Sequence, residues 1–326
     1  MDANHRPTFA TFDIDDAFLR AWPLPQPHAG GDKEIRGHVL ILGGSREMPG
    51  AIILSATAAM RAGAGKLTIA TGASVAQLVA MAMPEARVIG LEEHETDGFK
   101  LDALSTLDPL ADRVDAMLVG PGMRDEASTA RLVHALLPSL NAEEVNLVLD
   151  ACGMDALLRL PPGWPEGKPM RFERPVIMTP HCGEMAHLTG RDKDTLVDAP
   201  DAPAQTAAQE WNAVVALKGR RTVIAAPDGT LWQHDCAGNV GLAASGSGDV
   251  LAGIIAGLAA RGAPPEQAAC WGVALHARAG DRLAARMGTL GYLARELPGE
   301  IPALLEQLGG KHAAEEKAIR RESVEQ

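Results

Sequence analysis

Short apolar runs alternate along the chain with longer segments of helical pattern. The runs have the length of buried strands and occupy residues 38–42, 66–70, 116–119, 145–149 and 176–178. Each is followed by a loop with glycine, proline or aspartate and then by a helical stretch, clearest in AIILSATAAMRA at residues 51–62. Strands that alternate with helices in this way are typical of βαβ units. The pattern predicts an α/β fold with a mostly parallel central sheet.

The last third of the chain departs from this alternation. Two β-like runs, residues 222–226 and 230–234, are separated by Pro227, Asp228 and Gly229, which favour a tight turn. We therefore expect a β-hairpin that joins the otherwise parallel sheet.

Two helices are predicted after the hairpin. The first, residues 250–260, is apolar and carries Gly253 and Gly257 four positions apart, so a neighbouring helix could approach it closely. The second begins at the proline pair at residues 264–265 and runs towards Arg286, because proline is favoured at the start of a helix.

The two ends of the chain differ from the body, which we predict to be a single domain at residues 31–310. Residues 1–30 are punctuated by proline and histidine and are expected to pack outside that domain as a leader, while residues 311–326 read as a charged, solvated tail. The N-terminus lacks the apolar core of a signal peptide, and no apolar run approaches the roughly 20 residues that span a bilayer. A cytoplasmic protein is predicted.

The net charge and the cysteine spacing limit the kinds of partner and of cysteine-based site that the protein can have. The net charge of −12 argues against a nucleic-acid or membrane surface, but backbone N–H groups can still bind a small anion. The cysteines show no metal-site spacing, so free thiols are expected and neither zinc nor disulfides are indicated. They are Cys152, Cys182, Cys236 and Cys270.

The strongest chemical signal is the turn Gly246-Ser247-Gly248-Asp249, directly before an apolar helix. A glycine-rich turn that opens a helix presents unpaired N–H groups and the positive end of the helix dipole, which together bind anions. Asp249 fits equally well as a helix N-cap and as a catalytic base. Further glycines upstream, including Gly238, exceed what a helix start requires.

Three other loops are candidates. Gly43-Gly44-Ser45 follows the first strand, but neither the dinucleotide fingerprint nor the Walker A spacing is present in that region. The loop TPHCGE at residues 179–184 carries His181, either a local hydrogen-bonding group or a functional one at a strand end. The basic loop at residues 218–222 could hold phosphates or be an ordinary solvated turn.

Together and in this order, these segments resemble the ADP/ATP-dependent NAD(P)H-hydrate dehydratases, a family with a ribokinase-like fold. The matching segments span roughly residues 37–258 and are GHVLILGGS with MPGA, LVGPG, LDA, TPHCGEM, LKGRRTVIAAPDG and GNVGLAASGSGDVLAGIIAGL. The resemblance implies a three-layer αβα sandwich. It also implies a repair reaction, in which the hydroxyl of the 6-hydrate (S epimer) of NADH or NADPH is phosphorylated and phosphate is then eliminated. ADP is the expected donor, with ATP the other candidate.

The resemblance also implies roles for individual residues. Asp249 would contact the hydrate and act as the base. The hydrate pocket would further contain Ala51, Gly122 and His181. The nucleotide would be held by Lys218, Gly219, Arg220, Arg221, Thr222, Gly246, Ser247 and Gly248. A Mg²⁺ ion bridging the phosphates is expected, although no metal ligands are evident in the sequence.

Three positions depart from the family pattern. Cys152 stands where a second aspartate is usual, Cys182 where proline is usual, and Ser247 where threonine is usual. None removes a proposed catalytic group. The epimerase domain often fused ahead of this one is expected to be absent.

Two other functions fit the same motifs. A ribokinase-like kinase acting on a vitamin-precursor alcohol would use the same aspartate and anion site but release a stable phosphate ester. A nucleotide-binding module without catalysis would need Asp249 only as a cap. The fold would also permit a homo-oligomer through its alanine- and glycine-rich helices.

Overall fold

A computed structural model describes residues 11–26, 34–96, 98–165, 167–235 and 239–309, without the side chains at 108, 109, 111 and 112. The charged tail at 311–326, part of the predicted leader, and Cys236 and Gly238 lie outside the described residues.

The core of the fold is a ten-stranded sheet in the order β1-β10-β9-β8-β7-β6-β5-β2-β3-β4. Within the described residues, only β9 runs against the other strands. The strands are β1 (Thr11–Asp13), β2 (His38–Leu42), β3 (Lys66–Gly72), β4 (Arg87–Leu91), β5 (Ala116–Val119), β6 (Asn146–Leu149), β7 (Val176–Met178), β8 (Ala213–Leu217), β9 (Arg221–Ala225) and β10 (Leu231–Asp235).

Helices cover both faces of the sheet. They are α1 (Asp16–Ala21), α2 (Pro49–Arg61), α3 (Ala76–Ala82), α4 (Glu126–Ala142), α5 (Cys182–Thr189), α6 (Lys193–Asp198), α7 (Asp201–Trp211), α8 (Ser247–Ala260), α9 (Pro265–Met287) and α10 (Leu297–Gly309). Segments of 3₁₀ helix span Leu101–Arg113, Ala151–Leu157, Val240–Leu242 and Ala294–Glu296.

Burial on two sides explains why the parallel strands read as continuous apolar runs. In β2, Val39 and Ile41 belong to the core beneath α1–α3 and α8–α10, whereas Leu40 and Leu42 belong to the core beneath α4–α7. Successive side chains of a strand point to opposite faces, so a strand covered on both faces needs apolar residues throughout. The predicted three-layer α/β architecture is confirmed.

The predicted hairpin is also confirmed. β9 and β10 pair antiparallel, and the turn closes with hydrogen bonds between the backbones of Ala226, Gly229 and Thr230. Gly229 has a φ of 94°, the left-handed conformation that glycine adopts without steric cost.

The described part of the predicted leader contributes to the sheet itself. β1 extends the sheet edge by pairing parallel to β10. Leu19 of α1 is fully buried, and the Trp22 ring stacks on Trp232 with centroids 6.1 Å apart. The sequence pattern gave no sign of this strand, because three residues are too few to show a period.

Helices α2 and α8 touch through their backbones, as the spacing of Gly253 and Gly257 predicted. A Cβ built on Gly253 would lie 2.2 Å from the carbonyl oxygen of Ser55, and one on Gly257 would lie 2.5 Å from that of Ala59. The Ser55 hydroxyl lies 3.1 Å from the Ala51 carbonyl oxygen and 3.0 Å from that of Asp249, so it joins the two helices near their starts.

We expect Gly253→Ala to destabilise the protein by about 1–3 kcal/mol, because the added methyl must push two backbones apart. Gly299 provides a matched control, since it is exposed in α10 with open space around its Cα. Gly299→Ala should instead stabilise by about 0.4–1 kcal/mol through lower entropy of the unfolded chain. Chemical denaturation of the two variants measures both changes. Equal changes in the free energy of unfolding would show that the backbones of α2 and α8 are not in close contact at Gly253.

Among the described residues, no helix is both long and apolar enough to cross a membrane. Three of the cysteines, Cys152, Cys182 and Cys270, are free thiols.

Candidate active site

The carboxyl ends of the parallel strands meet at one edge of the sheet, where the loops after β2, β5, β6, β7 and β8 face the start of α8. In open α/β sheets this edge forms the ligand crevice. The motifs selected from the sequence lie in these loops, so the fold brings segments separated by up to two hundred residues to a single place.

The glycine-rich turn begins α8 earlier than expected. The helix starts at Ser247 rather than at Val250, and the residue before it, Gly246, has a φ of 87° and no side chain to act as a cap. Asp249 is therefore the third residue of the helix and not its N-cap. This removes the capping interpretation and leaves the carboxylate in the first turn, where the Ser247 N–H donates to the Ala244 carbonyl oxygen and the N–H groups of Gly248 and Asp249 have no partner within the helix.

Burial dominates the electrostatics of Asp249. Desolvation raises the pKa of its carboxyl to about 7, helped by repulsion from Asp150 and, less strongly, from Glu184, while Lys218 acts in the opposite direction. A carboxyl with a pKa near 7 can exchange a proton at neutral pH, as a general base must.

Lys218 lies at the centre of the acidic groups. Its Nζ is 3.5 Å from Asp150 Oδ1 and 3.8 Å from Glu184 Oε2, and the side chain is 19% exposed. Burial alone would lower the pKa of the ammonium, but attraction to Asp150, Glu184 and Asp249 outweighs it and the pKa is raised. A Cβ built on Gly248 would lie 3.3 Å from Nζ, so a positive charge stands beside the first turn of α8.

The acidic cluster around Lys218 consists of Asp150, Glu184 and Asp249. Asp150 was not among the site residues selected from the sequence. It is the residue that follows β6, it is 3% exposed, and its Oδ1 accepts a 2.6 Å hydrogen bond from the Thr179 hydroxyl. The available signal was its position, because a polar residue directly after a buried strand lies in the crevice.

The loop after β7 is held by a reciprocal cap at the start of α5. His181 Nδ1 accepts from the backbone N–H of Glu184 at 3.0 Å, and the Glu184 carboxylate accepts from the N–H of His181 at 2.7 Å. His181 thus has the local hydrogen-bonding role considered from the sequence. Its imidazole remains exposed at the crevice, so a ligand-facing role is compatible with this cap.

Ala51 and Gly122 are neighbours. Gly122 has a φ of 69°, and a Cβ built on it would lie 2.9 Å from the Cβ of Ala51 and 2.6 Å from the carbonyl oxygen of Met48. Ser55 then links the backbone of Ala51 to that of Asp249. The structure therefore brings Ala51, Gly122 and Asp249 together, whereas His181 lies in a separate loop that pairs with the backbone of Lys218.

The basic loop at residues 218–222 divides between the two faces of the sheet. Gly219 and Arg220 are exposed, and Thr222 is buried on the face of β9 that carries Ile224 beneath α9. Arg221 lies on the other face, where its guanidinium pairs with Asp201 at 2.6 Å and donates to Gln233 Oε1 at 2.5 Å. Lys218 is thus brought to the glycine-rich turn, whereas the Arg221 side chain is not.

The two cysteines at unusual positions do not enter the acidic cluster. Burial raises the pKa of the Cys152 thiol to about 12, and that thiol donates to the Thr129 hydroxyl at 3.5 Å. The Cys182 thiol contacts the Lys218 carbonyl oxygen at 3.7 Å, and burial raises its pKa as well. Both remain protonated near neutral pH, which makes them poor nucleophiles.

A partly buried histidine escaped the sequence-based selection. The imidazole of His276, from α9, contacts Ser247 at the start of α8. A polar residue within the otherwise apolar stretch GVALHA was the available signal.

Sequence comparison supports the earlier resemblance. The sequence profile of the NAD(P)H-hydrate dehydratase family matches residues 39–303. The ADP-dependent (S)-NAD(P)H-hydrate dehydratase of Xanthomonas campestris pv. campestris is 49% identical over 295 residues, which cover 90% of this chain and 96% of that protein.

Solved structures with the same architecture agree. The ADP/ATP-dependent NAD(P)H-hydrate dehydratase of Bacillus subtilis, co-crystallised with ATP and Mg²⁺, superposes with a TM-score of 0.74 at 29% identity and covers 93% of this chain and 100% of its own. A ribokinase-like superfamily protein of Enterococcus faecalis V583 superposes with a TM-score of 0.75 at 25% identity, over 93% and 99% of the two chains. The predicted ribokinase-like fold is confirmed.

Proposed function

The chain belongs to the NAD(P)H-hydrate dehydratase family, and from that premise we propose that it regenerates NADH and NADPH from their 6-hydrates, with ADP as phosphoryl donor. The observation that carries this proposal is the pairing of Asp249, a carboxyl with a pKa near 7, with the Lys218 ammonium at the start of α8. A base and a positive charge at a helix N-terminus are what phosphoryl transfer to a hydroxyl requires.

Asp249 takes the proton of the hydrate hydroxyl while the oxygen of that hydroxyl attacks the terminal phosphorus of the nucleotide. The bond between that phosphorus and the bridging oxygen breaks, so ADP leaves as AMP. The resulting ester loses inorganic phosphate from C6 and a proton from C5, which restores the C5–C6 double bond of the reduced nicotinamide. The hydrate therefore becomes NAD(P)H while one phosphoanhydride is hydrolysed overall.

The crevice supplies the two binding sites that this reaction needs. Ala51, Gly122 and His181 would line the hydrate side, where Asp249 reaches the hydroxyl. The N–H groups of Gly246 and Gly248 would hold the phosphates together with the Ser247 hydroxyl, since the Ser247 N–H donates to the Ala244 carbonyl oxygen. Lys218 would neutralise charge that builds up on the transferred group. The nucleotide would also be contacted by Gly219, Arg220 and Thr222, and by the backbone of Arg221.

The donor set also fits a magnesium ion. Mg²⁺ prefers oxygen ligands and is commonly bound by one or two carboxylates together with substrate phosphates and water. Asp150 and Glu184 flank Lys218 with such carboxylates, and no larger group of metal-ligating side chains occurs among the described residues. When bound with the nucleotide, the ion would neutralise phosphate charge and orient the transferred group.

We place the reaction in the cytoplasm, where its dinucleotide and nucleotide substrates are found. The free thiols of Cys152, Cys182 and Cys270 are consistent with a reducing compartment.

The direct test is to incubate the protein with NADH hydrate, Mg²⁺ and either ADP or ATP while following the absorbance of reduced nicotinamide. We expect recovery with release of one phosphate per NADH formed, and faster recovery with ADP. The absence of recovery with either nucleotide would refute the proposal. Turnover of a vitamin-precursor alcohol to a stable phosphate ester under the same conditions would favour a small-molecule kinase instead.

A further inference from the structure

One imidazole contacts both polar groups of Ser247. His276 Nε2 lies 2.9 Å from the Ser247 hydroxyl oxygen and 3.0 Å from the Ser247 carbonyl oxygen. His276 projects from α9, and Ser247 is the first residue of α8, directly before Gly248 and Asp249. The contact therefore ties a side chain of a neighbouring helix to the turn that would receive phosphate.

The carbonyl contact determines where the imidazole proton lies. A carbonyl oxygen can only accept a hydrogen bond, so a 3.0 Å contact with it requires that Nε2 carry the proton. The same N–H is then shared with the Ser247 hydroxyl oxygen, which acts as an acceptor. The hydrogen of that hydroxyl is not used by His276 and is free to be donated elsewhere.

The surroundings keep the imidazole in this neutral form. Burial lowers the pKa of His276 to about 4; the hydrogen bond to the Ser247 carbonyl opposes this shift, and the nearby Lys218 ammonium adds to it. The N–H therefore points to Ser247 throughout the neutral pH range. Ser247 as a residue is only 5% exposed, so an unused hydroxyl hydrogen there needs an acceptor.

We propose that His276 is a positioning residue that holds the Ser247 hydroxyl as a hydrogen-bond donor to the phosphate bound at the start of α8. The inference rests on the proposed nucleotide site. It gives a role to the hydroxyl that Ser247 shares with the threonine of the family pattern, and to a polar side chain within the apolar stretch GVALHA of α9.

A double-mutant cycle on ADP affinity tests this coupling. Calorimetry with ADP and Mg²⁺ would compare the wild type with His276→Leu, Ser247→Ala and the double variant. Each single change should weaken binding roughly tenfold, the effect of losing one hydrogen bond to a charged group. The double variant should bind no more weakly than Ser247→Ala alone, because His276 acts only through the hydroxyl.

Conservative variants separate positioning from packing. His276→Gln can still present an N–H to Ser247 and should restore ADP affinity to within about threefold. In a Ser247→Thr background, which keeps the hydroxyl, His276→Leu should again weaken binding. If His276→Leu does not fold, ADP affinity can be compared between His276→Gln and His276→Asn. The shorter asparagine should not bring its N–H to Ser247 and should therefore bind ADP more weakly than the glutamine variant.

His134 offers a matched control. It is another partly buried histidine whose Nε2 lies near two carbonyl oxygens, those of Ala156 at 3.0 Å and Arg159 at 3.1 Å, on the opposite face of the sheet. His134→Leu should lower the melting temperature without changing ADP affinity.

Two outcomes would overturn the proposal. Additive losses in the double variant would show that His276 acts independently of the hydroxyl, and unchanged ADP affinity in His276→Leu would show no role at the phosphate. ADP binding by a wild-type protein that cannot recover NADH would refute the proposed reaction, while the cycle would still report on His276.

Discussion

Asp249→Asn is expected to lower kcat for hydrate dehydration by about 10²–10⁴-fold, the usual contribution of a general base. Asparagine has nearly the same shape but cannot accept the hydroxyl proton. ADP affinity should change little, because the N–H groups of Gly248 and its neighbours are retained. Steady-state kinetics with NADH hydrate, together with calorimetry for ADP, would separate the two effects.

The pH dependence follows from the raised pKa. Only the ionised carboxylate can act as base, so kcat/KM should fall on the acid side of about pH 7, the pKa of Asp249 in the folded protein. Stability should show the opposite trend. Between the ordinary carboxyl pKa and about 7, the folded protein binds a proton that the unfolded chain does not, so stability falls as pH rises through that window.

Asp249→Asn should therefore raise the melting temperature at pH 8 and leave it nearly unchanged near pH 4. Asp194 is a control, because it is an exposed aspartate in the first turn of α6. Asp194→Asn removes a comparable helix-end charge but should preserve kcat and its pH profile. Undiminished recovery of NADH by Asp249→Asn would exclude the assigned base.

Lys218→Met is expected to reduce kcat by about 10²–10³-fold, as does the loss of one preorganised group that stabilises transition-state charge. The methionine side chain keeps the length of the lysine stem but leaves Asp150, Glu184 and Asp249 without their shared counter-ion. Since Lys218 lowers the pKa of Asp249, its removal should also move the acid limb of the kcat/KM profile to higher pH.

This shift in the pH profile distinguishes a role at the reacting atoms from a loss of nucleotide binding alone. Lys168→Met serves as the comparison, since Lys168 is exposed in the connection that leads into the amino end of β7, away from the crevice. Its kinetics should match the wild type. A Lys218→Met variant with normal kcat and raised KM for ADP would assign Lys218 to ground-state binding only.

Local patterns predicted those elements whose sequence carries the signal. The strands β2, β3, β5, β6 and β7 were recognisable because burial on both faces makes them largely apolar, and Gly253 and Gly257 indicated a close helix contact by spacing alone. β4 was missed because it is partly exposed: Arg87 and Gly90 interrupt its apolar residues and give it the character of an edge strand.

The arrangement of the site could be predicted only as a set of loops at one sheet edge. The ion pair between Lys218 and Asp150 joins residues 68 positions apart, and the contact between Ser247 and His276 joins residues 29 positions apart. Such contacts depend on how strands and helices are placed in space, which residue spacing does not record. For the same reason, the orientation of Arg221 away from the crevice became evident only from the register of β9.

The backbone contact between α2 and α8 also couples two parts of the candidate site. Ser55 joins Ala51 to Asp249, and at Gly253 no side chain separates the two helices, so a displacement of α2 would displace Asp249 as well. Elsewhere in the crevice, the backbones of His181 and Lys218 pair as a short parallel bridge. The loops after β7 and β8 are thus joined to each other, as α2 is to α8, so reactants bound in the proposed site would contact two paired sets of elements rather than isolated loops.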